Sequence, residues 1–183
     1  MKKFTVVIII IAVIQIALIC FVLSFPAMRI ADSLSKSNAN MKKVTSARSE
    51  LLYCLEHGER DRLYDMFAQY VKTDPNTDLM QMIDQLFDRY DTTTFDFSQV
   101  RSRDNGGGES YREGNITYYD YEYVIEGITG PDGSKFVISY GYSTVNEDHP
   151  DRTGLLYFRL RKVRYLDKYQ YDILDECVIH RSG

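Results

Sequence analysis

The chain has 183 residues, with 22 Lys and Arg against 26 Asp and Glu. That length holds one domain of ordinary size beside one membrane segment, which excludes several separate cores. All 26 acidic residues but only 19 of the 22 basic ones follow Arg29, and no basic run there exceeds two residues. Such a balance speaks against nucleic acid and anionic headgroups as partners.

The first element is an apolar run from Phe4 to Phe25 behind Lys2 and Lys3, interrupted only by uncharged Thr5, Gln15 and Ser24. As a helix it would reach roughly 33 Å, enough for a hydrocarbon core of about 30 Å. Three kinds of segment fit such a run. An uncleaved signal-anchor would keep residues 1–3 in the cytoplasm, span with residues 4–25 and put the C-terminal domain outside. A cleaved signal peptide has a shorter apolar region and small residues before the cut, where this chain has Phe25. Lipidation at Cys20 would need a small residue in place of Ile19. The anchor meets the fewest mismatches, and all three place the domain beyond a membrane. Residues 26–43 are rich in Ser, Asn, Lys and Ala and form a polar stalk, leaving 44–183 as the extracytoplasmic domain. Cys54 and Cys177 are its only cysteines; they are read as buried free thiols, with pairing open in an oxidising exterior.

From Val44 to Tyr90 the apolar period is helical. Leu51, Leu52 and Leu55 form a stripe that Gly58 ends. Asp61 reads as an N-cap for a second helix, whose face is Leu63, Met66, Phe67, Tyr70 and Val71. Asp74-Pro75 breaks the chain. Asp78, with Gln81 closing a capping box, starts a third helix with Leu79, Ile83, Leu86, Phe87 and Tyr90 on one side.

Beyond Tyr90 the period becomes two. Phe95 and Phe97 alternate with Asp96 and Ser98. In the run from Ile116 to Ile128, Tyr119, Tyr121, Tyr123 and Ile125 share one face, and Asp120, Glu122 and Glu126 share the other. Pro131-Asp132-Gly133 is a turn, and Phe136, Ile138, Tyr140 and Tyr142 line the returning strand of a long hairpin. Leu156, Phe158 and Leu160 then oppose Arg159 and Arg161, which are expected to meet Asp120 or Glu122 across the sheet's outer side. The tail from Tyr165 to Ile179 supplies one more edge strand. The class is α+β, with N-terminal helices packed on one face of a curved antiparallel sheet.

Several stretches carry a family likeness. Leu51 to Phe67 is similar to the opening of the cone-shaped nuclear-transport-factor-two-like domains. The order Gly106-Gly107-Gly108-Glu109-Ser110, then Ile138-Ser139-Tyr140, then Asn146 through Asp151-Arg152-Thr153-Gly154 resembles an uncharacterised bacterial family, domain of unknown function 5104. Its members are small secreted lipoproteins or membrane-anchored proteins. The resemblance covers most of the domain, implies the cone fold, an envelope location and dimerisation through the sheet, and implies no activity. Ile19-Cys20 departs from the lipobox that family members often carry.

The triple glycine lacks the Lys-Ser/Thr of a phosphate loop and the spacing of a dinucleotide loop. It reads as a wide loop or bulge where backbones approach closely, with Glu109 and Arg152 paired to tie it to the next loop. The acidic loop Asn146–Asp151 lacks the spacing of a calcium loop, and His57, His149 and His180 match no zinc pattern. No metal and no cofactor are expected. Fifteen Tyr without Trp is the most suggestive feature. Tyr119, Tyr121, Tyr123, Tyr140 and Tyr142 would line a concave pocket for a small ligand or an envelope partner, the alternative being ordinary core filling. A non-catalytic binding module is therefore expected. The alternatives are a small enzyme using Asp96, Asp120, Glu122 or Glu126 with a Tyr, or a purely structural envelope protein.

Overall fold

The computed structural model describes residues 35, 38–112, 115–167 and 170–180. The anchor, the Cys20 site and most of the stalk lie outside these residues; no helix among those described is long and apolar enough to cross a membrane.

Helix α1 occupies 38–57 and buries Val44, Ala47, Leu51, Cys54 and Leu55. Gly58 ends it at φ +69°, and the Glu59 N–H returns to the Cys54 carbonyl at 2.9 Å, a Schellman-type close. Helix α2 (Arg60–Met66) starts after Glu59, so Asp61 lies in its first turn rather than at the cap. The expected single helix through Val71 is split: Phe67 and Ala68 are extended, and α3 (Gln69–Lys72) follows. The cause is tertiary. Phe67 makes a parallel bridge to Leu155, and the Ala68 N–H donates to the Leu155 carbonyl at 2.9 Å. Helix α4 (Leu79–Arg89) is capped by Asp78, whose carboxylate accepts the Gln81 N–H at 3.0 Å. Leu79, Ile83, Leu86 and Phe87 are its buried face.

Phe95 and Phe97 do not form a strand. A short 3₁₀ turn (Thr92–Thr94) precedes them, and Asp96 makes one isolated bridge to Thr129. The sheet begins instead with β1 (Arg101–Arg112), which contains the three glycines. It continues as β2 (Asn115–Thr129), β3 (Lys135–Asn146), β4 (Gly154–Tyr165) and β5 (Tyr171–Ile179). The order is β1-β2-β3-β4-β5, all antiparallel, so the architecture is helices packed on a five-stranded meander.

The period-two face of Tyr119, Tyr123, Ile125, Ile138, Tyr140, Phe158 and Leu160 packs beneath α1, α2 and α4 in one core. The opposite face carries a smaller apolar cluster of Val124, Val137 and Val163. Leu156 departs from the expected face. A bulge pairs Gly141 with Tyr157 and Tyr142 with Leu155, so Leu155 is the fully buried residue and Leu156 is the extra one. Arg161 meets Glu176 of β5 at 2.6 Å and the Ser139 hydroxyl at 3.1 Å, not a carboxylate of β2. Cys54 and Cys177 are both free, and burial first of all pushes the Cys54 thiol up to about 11.

Candidate functional site

Of the five tyrosines expected to line a pocket, Tyr119, Tyr121, Tyr123 and Tyr140 come together as one layer of rings. Ring centroids are 4.6 Å apart for Tyr119–Tyr121, 6.2 Å for Tyr121–Tyr123 and 5.4 Å for Tyr123–Tyr140. Stacks of this kind contribute about 0.5–1.5 kcal/mol per pair beyond their area. Yet Tyr119, Tyr123 and Tyr140 are only 2 %, 4 % and 0 % exposed, so the layer is core beneath α1. Tyr121 and Tyr142 are half-buried at its margin, and Tyr142 lines a shallow groove with Lys43, Glu50 and Met66.

A cavity of about 790 Å³ lies on the other face of the sheet. Its floor is built by glycines. Register pairs Gly106 with Glu122 and Gly108 with Asp120, which puts both glycines on the carboxylate face. A side chain at Gly106 would meet nothing within 4 Å, and one at Gly108 would meet only the edge of Tyr118 at 3.5 Å. The two positions are therefore open space beside two carboxylates. Gly107 is different: an added Cβ would sit 2.5 Å from the Asp120 carbonyl and 2.6 Å from the Tyr121 ring. The triplet lies inside β1 rather than in a loop between strands, with a bulge between Asp104 and Gly106.

Gly141 continues this logic on β3. Its missing Cβ would be 2.7 Å from the Tyr157 ring, so Tyr157 lies across β3 towards Glu122, the register partner of Gly141. Burial, then the Glu122 carboxylate, pushes the Tyr157 phenol up. On the neighbouring position the Tyr118 hydroxyl donates to Asp120 Oδ2 at 3.0 Å. Burial raises the Asp120 carboxyl above its ordinary value, and Glu122 adds to the rise. The remaining wall is supplied by Tyr70 of α3, Asn146, Arg152, Leu156, Arg159 and His180. The Arg152 guanidinium lies 5.3 Å from the Tyr70 ring centre, and that of Arg159 4.9 Å from the Tyr157 ring centre. The Arg159 Nε is buried and lacks a hydrogen-bond partner. His180 packs edge-on to Tyr70 at 5.3 Å, and burial pushes its imidazole down against the opposing pull of Asp74.

The motif residues divide between the cavity and its frame. Gly106, Gly107, Gly108, Asn146 and Arg152 line it. Glu109 pairs with Tyr119, so it faces away and does not meet Arg152; Arg112 and Asp148, 3.3 Å apart, tie β1 to the next loop instead. Ser110 is exposed, with its carbonyl near the Thr117 hydroxyl at 3.4 Å, and Asp151 is exposed in the 3₁₀ turn Pro150–Arg152. The Asn146 side chain accepts the His149 N–H at 2.9 Å, bridging the bend that precedes that turn. Gly154, at φ +126°, lets β4 lie close to α3: an added Cβ would sit 3.0 Å from the Ala68 nitrogen and the Met66 carbonyl.

Of the carboxylates weighed for chemistry, Asp96 accepts the Ser98 N–H at 2.8 Å and Glu126 meets Arg103 at 3.3 Å; neither lines the cavity. Asp120 and Glu122 do. Alternation correctly put them opposite the tyrosine stripe, but that face is a recess rather than a plain solvated side. The sequence reading placed Arg159 on the face of Asp120 and Glu122 but assigned neither it nor Tyr70 and His180 to a ligand site; the alignment of Gly106, Gly108 and Gly141 beside Asp120 and Glu122 is the signal that marks them.

No curated protein matches the chain. A family model described as a domain of unknown function (DUF5104) matches residues 50–163, a span that runs from α1 through β4 and contains the glycine floor, both carboxylates and both arginines. The chain belongs to that family.

Proposed function

We propose that this protein is a membrane-anchored, extracytoplasmic binding module of the bacterial cell envelope, and that its ligand site is the recess over Asp120 and Glu122. The carrying observation is the glycine-built floor: β1 and β3, the two strands flanking the β2 carboxylates, both carry glycine there, and the space is walled by aromatic and charged groups. A volume of about 790 Å³ falls within the range of small-molecule sites. The anchor rests on the charge-free run Phe4–Phe25 behind Lys2 and Lys3, and the envelope location on the family resemblance. Helices covering one face of an antiparallel meander support the cone-shaped, nuclear-transport-factor-two-like reading, with dimerisation through the sheet as its corollary.

The test is thermal unfolding of the full-length chain in detergent against sugars, peptidoglycan fragments, peptides and divalent ions. A ligand at 100 times its Kd stabilises the folded state by about 2.7 kcal/mol. The shift should vanish in Gly108→Leu, which fills the recess without touching the tyrosine layer. A shift that survives Gly108→Leu places binding elsewhere and sinks this site. No shift with any ligand favours the purely structural role.

One observation favours a second reading, a small acid–base enzyme: Asp120 has a raised carboxyl and a Tyr118 hydroxyl on it, inside the recess. Turnover of a bound ligand that Asp120→Asn abolishes while binding persists would decide for it.

A further inference from the structure

Four charged side chains line the recess, and the protein neutralises none of them. Among the described residues, no ion pair within 4.0 Å involves Asp120, Glu122, Arg152 or Arg159. Nearby charges outside the recess are paired: Arg161 with Glu176 at 2.6 Å and Arg112 with Asp148 at 3.3 Å. The difference has a structural cause. Tyr157, lying over Gly141, stands beside Glu122 and under the Arg159 guanidinium, and so occupies the space through which the two would meet.

Asp120 already has a neutral donor in the Tyr118 hydroxyl, and the Tyr157 phenol stands beside Glu122. What both lack is a cation. Each guanidinium rests on an aromatic ring, Arg152 on Tyr70 and Arg159 on Tyr157, and the Arg159 Nε is buried without an acceptor. What both lack is an anion. Two carboxylates two residues apart on one strand face repel each other, and charges as partly desolvated as Asp120, Glu122 and Arg159 are costly without counter-charges, whereas Arg152 is exposed. A ligand that brings one charge of each sign removes both costs, whereas a hydroxylated neutral ligand removes neither.

Resting on the recess as the binding site, we propose that its ligand is a small zwitterion, with an ammonium at Asp120 and Glu122 and a carboxylate at Arg152 and Arg159. The rings of Tyr70, Tyr118 and Tyr157 flank the stem between them. A volume of about 790 Å³ leaves room for more than a single amino acid, so a short peptide with free ends fits the description.

Calorimetric titration of the full-length chain with trialanine, N-acetyl-trialanine, trialanine amide and alanine tests the charges one at a time, and glucuronic acid supplies an anion without an ammonium. Free trialanine should bind, and capping either end should weaken it at least about tenfold. Asp120→Asn with Glu122→Gln should erase the preference over the acetylated form, and Arg159→Gln the preference over the amide. Equal binding of free and acetylated peptide overturns the zwitterion. So does binding of glucuronic acid alone, or of none of the five probes. If glucuronic acid binds and Gly108→Leu blocks it, the site stands while the ligand class falls. If trialanine binds equally well to Gly108→Leu, whose fold is checked by its melting curve, the site falls too.

Discussion

The three consecutive glycines do two different jobs. Gly107 is a packing residue, because its hydrogen faces the Asp120 carbonyl and the Tyr121 ring. Gly107→Ala should destabilise by about 1–3 kcal/mol through overpacking, while Gly108→Ala, facing open space, should change urea midpoints far less. A similar loss at both positions would show that the triplet acts only through its backbone. Asp120 shows the opposite tension, between site and stability. Burial and Glu122 raise its carboxyl in the folded state, so the folded protein holds its proton more tightly than the unfolded chain. Stability from this group is therefore undiminished below the unfolded value and falls as pH rises through the folded one. Asp120→Asn should raise Tm at pH 7 and leave it unchanged at pH 3, and a thermal melt series across that range would read the difference. An Asn variant less stable at pH 7 would mean that the Tyr118 contact outweighs the burial.

Between elements, the critical junction is where the helical layer meets the start of β4. A Cβ added at Gly154 would sit 3.0 Å from the Ala68 nitrogen and the Met66 carbonyl, and Ala68 donates to Leu155. That contact splits the helix and positions Tyr70 on the wall of the recess. Gly154→Ala combines a disfavoured φ with backbone contact, and we expect a loss of about 2 kcal/mol or more. Hydrogen exchange should reveal faster exchange at the Ala68 amide, with α4 unaffected because Asp78 caps it independently. Uniform acceleration across the molecule would mean that the junction is not a separate unit.

For the molecule as a whole, one sheet serves two tasks on its two faces. The tyrosine face is filled by helices, and its burial makes the thiol of Cys54 a poor nucleophile, held up to about 11. At pH 8 a thiol reagent should therefore label Cys54 only after denaturant is added; rapid labelling of the native chain would contradict the packing of α1. The opposite face carries the charges and the recess. Much of this division was legible beforehand. The alternation in β2 assigned Asp120 and Glu122 to the face opposite Tyr119 and Tyr123, and the Pro131–Gly133 turn announced the β2–β3 hairpin. Strand β1 was not legible, since Arg101–Arg112 is polar throughout and three glycines disfavour a strand in isolation.

What the sequence determined by itself is whatever depends on local periodicity and chain chemistry. This covers the helical half, the strand half, which side chains share a face, the stop at Gly58, the start at Asp78, and the family. What only the tertiary structure decided is which face is full and which is hollow. Alternation says that residues lie together, but not what lies on top of them. That depends on strands β1, β2 and β3 aligning Gly106, Gly108 and Gly141 beside Asp120 and Glu122, a register set by pairing between residues distant in the chain.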